Sequence, residues 1–421
     1  MPPDTDKNIK TNIVFYNFFI FFYNIGVAVA AMFSKKVRTM WRGEHDTWAI
    51  LREQLQPTEQ YIWFHAASLG EFEQGRPLME QIRKEHPGVK ILLSFFSPSG
   101  YEVRKDYKGA DIICYLPIDT PLNALHFIRM VNPSMAFFIK YEFWANYLHV
   151  LQQRGVPVYS VSSIFRPRQI FFRWYGHDYA KVLKCFTRLF VQNEESRQLL
   201  HGIGIDNVDV VGDTRFDRVL QIKEAAKVLP LVRDFVGETK KVFVAGSSWL
   251  PDEEIFIPYF NAHKDWKLIV APHVIGEAHL RQIMKLLEGR SVTRYTEATP
   301  ESAANADVLI IDCFGLLSSI YQYGSVSYVG GGFGVGIHNT LEAAVWGMPV
   351  IFGPNNKRFR EAQGLLQAQG GFEINSADDF ADIMGRLDKE DFLSLSGQKA
   401  AAYVAGLAGA TGKVLSKIRI R

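Results

Sequence analysis

The sequence predicts an α/β protein in which two doubly wound, parallel-sheet domains follow one apolar N-terminal helix. Three observations lead there. The chain has 421 residues, beyond the roughly 250 to 300 at which single cores stop growing and chains divide. Near-continuous apolar, β-rich runs alternate with amphipathic stretches, the pattern of strands covered on both faces by crossover helices. Ahead of them stands an uncharged run from Ile13 to Phe33, which as a helix reaches about 30 Å, the thickness of a bilayer's hydrocarbon core.

Composition narrows the function. With 48% hydrophobic and 22% charged residues the chain can bury a core, which excludes global disorder. Its 47 basic against 44 acidic side chains leave +3, too little for binding nucleic acid by phosphate neutralisation. The three cysteines, Cys114, Cys185 and Cys313, form no CxxC pair, so neither a disulfide framework nor a thiolate metal site is expected, and a reducing compartment fits.

In chain order, the first element is IVFYNFFIFFYNIGVAVAAMF, expected to be a retained membrane anchor; lying in the interface or docking on the body is the alternative, because Asn17 and Asn24 interrupt it. Lys35, Lys36, Arg38 and Arg42 follow the run, while Asp4 and Asp6 offset Lys7 and Lys10 before it. The excess of positive charge on the downstream side places the bulk of the protein on the cytoplasmic face of the inner membrane. Residues 1–45 are thus anchor and basic flank.

A first Rossmann-like domain over 46–215 takes its strands from Tyr61–His65, Val89–Phe96, Asp111–Pro117, Ser134–Lys140, Pro157–Ser163, Phe186–Gln192 and Val208–Gly212. A polar, helical bridge from Asp213 to Glu238 leads into a second over 216–421, with strands Lys241–Ala245, Lys267–Ala271, Val308–Asp312, Val326–Gly330 and Val350–Gly353. A last helix near Gly397–Ile418, with no strand after it, is free to cross back. Such domains carry ligands beyond the carboxyl ends of their strands, so two of them are expected to face a common cleft.

The chemistry-bearing residues fall at those ends. His65-Ala-Ala-Ser-Leu-Gly-Glu71 follows the first strand and opens a helix. A carboxylate there serves as a general base if burial raises its proton affinity, or merely complements the helix dipole. Glu142, in Lys140-Tyr-Glu-Phe-Trp144, occupies the matching place after the fourth strand, and two carboxylates in unlike surroundings can divide catalytic labour; a dipole-favoured helix start is the plainer reading.

Gly330-Gly331-Gly332-Phe-Gly334-Val-Gly336-Ile-His338-Asn339-Thr-Leu-Glu342 joins a strand to a helix. Bare backbone there suits a phosphate at the helix N-terminus, with Glu342, one turn into that helix, on ribose hydroxyls. A tight turn or a dinucleotide fingerprint would read similarly, though the latter belongs at a first βα turn. Ser247 and Ser248 end the second domain's first strand and His273 follows its second, while Arg215 in the bridge offers a cation or a salt bridge. Asp-x-Asp occurs only at Asp4-Thr-Asp6, ahead of the apolar run, so no metal or other cofactor is expected and amides and basic groups must meet leaving-group charge.

Taken in order, HAASLGE, the Tyr-Glu-Phe-Trp block, AGSSWLPDEE, GGGFGVGIHNTLEAA and VIFGPNNKRFREA resemble the Kdo (3-deoxy-D-manno-octulosonic acid) transferase family of lipopolysaccharide synthesis. The resemblance implies the two-domain GT-B glycosyltransferase fold, a CMP-Kdo donor held mainly by the second domain, and a lipid A precursor (lipid IVA) as membrane-borne acceptor. It makes Glu71 the counterpart of the family's proposed base and Glu142 that of a second important glutamate. It places Arg215, Ser247, Ser248, His273, Gly331, Gly332, Gly334, His338, Asn339 and Glu342 around the donor. The chain departs from the pattern at Ile337-His338-Asn339, where family members commonly carry Gly-His-Asn, and at Pro272-His273, where they carry Pro-Arg-His. A GT-B enzyme with another nucleotide sugar, and a membrane-bound nucleotide-binding protein without catalysis, are the alternatives; oligomeric state is not legible.

Overall fold

The structure is a computed structural model that describes residues 5–420; Asp4 lies outside them, and the side chains before Val14 are likewise not described. The fold divides into two compact units, one of residues up to Arg218 together with those from Ala408 onward, the other Val219–Leu407.

The first unit opens with α1 (Thr5–Phe33) and α2 (Lys35–Gln54). Ser34 breaks the helix between them and accepts from the Val37 amide, a serine N-cap. Arg38 closes α1 by donating to the carbonyls of Ala31 and Met32, as cations do at helix C-termini. From Tyr16 to Ala31 one face of α1 lies on the domain. The Tyr16 hydroxyl donates to Asp119 Oδ2 at 2.6 Å and Asn17 Oδ1 accepts from Asn146 at 2.8 Å. Further along, Ile20, Val27 and Met40 pack with Tyr115 and Ile118. The other face exposes Phe15, Phe18, Phe19, Phe22, Val29 and Met32. By length and composition, Val14–Phe33 is able to cross a membrane.

Seven parallel strands follow: β1 (Tyr61–Ala66), β2 (Lys90–Phe95), β3 (Ile112–Tyr115), β4 (Pro133–Ile139), β5 (Val158–Ser163), β6 (Arg188–Val191) and β7 (Val208–Val210). Between the first five run α3 (Leu69–Glu85), α4 (Pro98–Arg104), α5 (Pro121–Val131) and α6 (Ala145–Gln153). Their order is β3-β2-β1-β4-β5-β6-β7, so strand order reverses between β1 and β4, where doubly wound folds bind ligands. All six residues of β1 are buried: Ile62 and Phe64 join one core layer, Tyr61 and Trp63 the other. The unit is completed from the far end of the sequence. Asp217 accepts from the amides of Gly409 and Thr411 and from the Thr411 hydroxyl, and Val414 enters the core beside Phe64 and Phe72.

The second unit repeats the scheme with β8 (Val242–Ser248), β9 (Lys267–Pro272), β10 (Val292–Arg294), β11 (Val308–Ile310), β12 (Val326–Val329), β13 (Val350–Phe352) and β14 (Gly371–Glu373), ordered β10-β11-β9-β8-β12-β13-β14. Its reversal lies between β8 and β12. β10 and β14 are absent from the sequence expectation because each is a three-residue edge strand with little apolar pattern. The final helix also differs, running as Glu390–Leu407 and Ala410–Leu415 with a break at Gly409, whose φ of 98° glycine adopts without a Cβ penalty.

Candidate active site

The first unit's reversal point brings Glu71 and Glu142 to one place. Glu71 is the third residue of α3, after the N-cap Ser68. Its carboxylate takes backbone hydrogen bonds from Ala67 and Ser68, whereas Oε2 is buried without a hydrogen-bond partner. Burial, then the charge of Glu142, push the Glu71 carboxyl up to about 7, against the pull of Lys140 and those two backbone groups. A carboxylate poised near neutrality, with one oxygen uncommitted, has the proton affinity a general base needs.

Glu142 is held in place. Its Oε2 accepts from Trp144 Nε1 at 2.6 Å and from His65 Nε2 at 3.1 Å. His65, fully buried in β1, is paired in register with Ser94 of β2, and its Nδ1 lies 2.8 Å from Ser94 Oγ. Trp63 Nε1 donates to that same oxygen at 2.8 Å. The His65 ring thus bridges the two groups, one nitrogen on Ser94 Oγ and the other on Glu142 Oε2, while Ser94 also reaches the Phe64 carbonyl. A buried relay therefore fixes one carboxylate while the other keeps a free oxygen. Sequence reasoning took His65 as part of a motif and missed Ser94, because their pairing across strands is a tertiary fact.

Left-handed backbone marks the same strand ends. Lys140 after β4 has φ 67° and Ser162 in β5 has φ 55°, conformations that cost non-glycine residues roughly 1 kcal/mol or more and gather at functional sites. Arg215 is not an unpaired cation: its guanidinium meets Asp213 Oδ2 at 2.8–2.9 Å, and Asp213 is buried and also bonded to Gln74.

In the second unit the end of β8 carries a third such residue, Ser247, with φ 53° and a half-buried side chain. The Ser248 hydroxyl instead turns inward to Glu253 Oε1 at 2.8 Å. Trp249, His273 and His338 form a stack, with ring centroids 4.5 Å and 4.6 Å apart in sequence; burial, then His273, lower the His338 pKa. Asn339 donates to Glu342 Oε1 at 2.9 Å.

The glycine loop engages several of its own amides. The Gly331 amide donates to Asp252 Oδ2 at 2.9 Å, and the amides of Gly334 and Gly336 donate to the Gly331 carbonyl at 3.1 and 2.9 Å. These N–H groups are spent within the loop. The helix beyond it is one turn, Leu341–Ala344, which puts Glu342 in its first turn and leaves little aligned dipole for an anion. The glycines answer to packing: a Cβ on Gly330 would strike the Ser247 carbonyl, and one on Gly332 the Gly353 backbone. Asp252 was missed from sequence, although it binds the loop through Gly331 and Tyr328 (2.7 Å) and caps its own helix at Trp249 (2.9 Å).

Comparison with known proteins identifies the lineage. Residues 44–218 match the family described as 3-deoxy-D-manno-octulosonic-acid transferase (kdotransferase). The chain is 27% identical over 333 residues to the 3-deoxy-D-manno-octulosonic acid transferase of Aquifex aeolicus, covering 77% of this chain and 85% of that one. The corresponding Haemophilus influenzae transferase is 26% identical over 340 residues, with 77% and 78% covered. The chain is thus similar to Kdo transferases over about three quarters of its length. That similarity makes it a glycosyltransferase, and the stretch matched by the family model holds His65, Glu71, Lys140, Glu142 and Arg215. Solved structures place the fold in the GT-B class. UDP-GlcNAc 2-epimerase of Neisseria meningitidis superposes with a TM-score of 0.61 at 13% identity, over 85% of this chain and 99% of that one. MurG of Acinetobacter baumannii gives 0.53 at 12%, over 85% and 98%.

Proposed function

We propose that this Kdo transferase moves Kdo from CMP-Kdo to a glucosamine hydroxyl of a lipid A precursor, with inversion at the anomeric carbon. One observation carries the mechanism: Glu71 is held near neutrality with an unpartnered oxygen. In this reading Glu71 Oε2 takes the acceptor's hydroxyl proton as its oxygen forms the bond to the anomeric carbon, and the bond to CMP breaks with its electrons going to the phosphate. Glu142, fixed by His65 and Trp144, orients the acceptor and keeps the Glu71 proton affinity high through its charge. The second unit holds the donor. Ser247, His273, His338, Asn339 and Glu342 present groups to the nucleotide, Gly331, Gly332, Gly334 and Ser248 shape the walls behind them, and Arg215 of the first unit offers charge from its pair with Asp213.

The membrane part of the reading rests on α1. Tyr16 and Asn17 near one end and Ala31 near the other are engaged or buried on the domain, so the helix is suited to lie in one leaflet's interface with its phenylalanine face in the acyl region. Lys35, Lys36 and Arg42 then meet anionic headgroups on the cytoplasmic side. Mass spectrometry of a lipid A precursor incubated with CMP-Kdo and the detergent-solubilised protein tests the reaction. A gain of one or more Kdo masses, lost in Glu71→Gln, is the expected result; no gain with intact donor and folded protein rejects the substrate pair.

A further inference from the structure

Two adjoining cavities, one of them walled in part by α1, are lined by neither Glu71 nor Glu142, and the mechanism uses neither cavity. One, of about 490 Å³, is walled by Asn24 and Ala28 of α1, Trp41 and Glu44 of α2, and Ile118 and Thr120 before α5. It continues, through the shared residues His45, Trp48, Leu122 and Asn123, into a second of about 610 Å³ whose lining includes Arg52, His126 and Arg129. No carboxylate lines this second part. The groove is therefore cationic at one end and aromatic to apolar at the other.

The inner end holds an unmet polar group. Glu44 is 5% exposed, one oxygen takes a backbone hydrogen bond from Ile118, and Oε1 is buried with no partner. Burial pushes this carboxyl up to about 8, so in the empty groove it is largely a neutral acid near pH 7, able to donate one hydrogen bond and accept others. An unsatisfied buried group of this kind costs roughly 1 to 3 kcal/mol, a cost that a ligand bearing an amide or hydroxyl removes.

We propose that this groove seats the acceptor lipid itself, an acylated and phosphorylated sugar, with a phosphate between Arg52 and Arg129, an acyl amide or hydroxyl at Glu44, and acyl chain along α1 and Trp41. Three features select the acceptor over bulk phospholipid. A glycerophospholipid of the phosphatidylglycerol type carries neither acyl amide nor acyl hydroxyl for Glu44. Between the lining residues Ile118 and Thr120 stands the buried Asp119, which accepts from the Asn146 and Tyr147 amides at 3.0 Å and so anchors the start of α6, next in sequence to the Trp144 that donates to Glu142. The exposed phenylalanines of α1 put the groove's rim where acyl chains are. This assignment rests on the acceptor class proposed above and adds its seat.

Binding to the full chain in detergent, read by native mass spectrometry, tests it independently of turnover. The probes are a tetra-acylated glucosamine disaccharide bisphosphate, its dephosphorylated form, and phosphatidylglycerol. The wild type and Glu71→Gln should retain the bisphosphate alike. Arg52→Ala/Arg129→Ala should weaken its retention about tenfold or more, the loss of two charge-assisted contacts, without changing that of the dephosphorylated form. Glu44→Leu should weaken both acylated sugars, Glu44→Gln should restore them, and unchanged thermal unfolding shows the variants folded. Equal retention of the bisphosphate by wild type and the double variant overturns the proposal, as does phosphatidylglycerol retained as tightly through the same residues. Groove-dependent retention without sugar transfer leaves the seat standing and rejects the reaction; transfer with no effect of the groove variants does the reverse.

Discussion

Two carboxylates, Glu71 half-buried and Asp252 buried, occupy the same local position in the two units and meet opposite fates. Glu71 and Asp252 are each the third residue of the helix that follows the first strand of its sheet, beside the point where strand order reverses. Burial raises the proton affinity of both. Asp252 is met by Gly331, Tyr328, Trp249 and Phe333, so its charge becomes a clamp that holds a glycine loop against a strand end. Glu71, one methylene longer, reaches past its backbone donors and leaves Oε2 without a partner. A helix start at a strand's carboxyl end is thus a site for a carboxylate, and the donors around it decide whether that carboxylate builds or reacts.

The largest expected effect separates the two at once. Glu71→Gln should lower kcat by about 10² to 10⁴, the range general-base catalysis supplies, with donor KM unchanged; a variant that retains full turnover would make Glu71 another structural cap. Asp252→Ala should do the reverse. Removing the partner of several buried donors costs about 3 kcal/mol, visible in chemical denaturation, and should loosen the glycine loop, raising donor KM with proton transfer intact.

A third expectation concerns pH. Because folding raises the Glu71 pKa from 4.5 to about 7, the native state binds more protons than the unfolded chain between those values, and stability contributed by this group falls as pH rises through that window. Glu71→Gln, a permanent mimic of the neutral form, should therefore melt higher than wild type at pH 8 and near wild type at pH 4, measured by thermal scans. Over the same window wild-type kcat/KM should rise and level off above about pH 7. The smallest effect is Trp144→Phe, which deletes one hydrogen bond to Glu142; a loss of about 1 kcal/mol, or roughly fivefold in kcat/KM for acceptor, is expected, with donor KM unmoved.

The sheets were legible because strands buried on both faces read as apolar runs, and β1, with every residue buried, is the plainest case. The edge strands β10 and β14 were not, since Val-Thr-Arg and Gly-Phe-Glu each offer a single large apolar residue, whereas the equally short edge strand β7, Val-Asp-Val, alternates. Glu71 and Glu142 were legible as carboxylates at strand ends, but their division of labour was not: it depends on Ser94 standing opposite His65 across β1 and β2. The glycine-rich loop shows the converse. Its residues look like an anion cradle in one dimension, and only the fold reveals that Asp252, about eighty positions earlier, already claims the Gly331 amide. Trp249-Leu-Pro-Asp252 carried a usable hint, an acid at the third helical position, as capping boxes do.

The return of the chain's end to the first unit bears on how the protein comes to be made. The groups that meet Asp217, and the Val414 that fills the core beside Phe64, leave the ribosome only after the whole of the second unit, so the first unit closes after the second has been made. Until then it must wait with an open seam while the second unit, continuous in sequence, is free to fold. A frameshift or proteolytic cut near Ala408 would thus injure the domain that holds the catalytic glutamates, although those residues lie more than two hundred positions away in sequence.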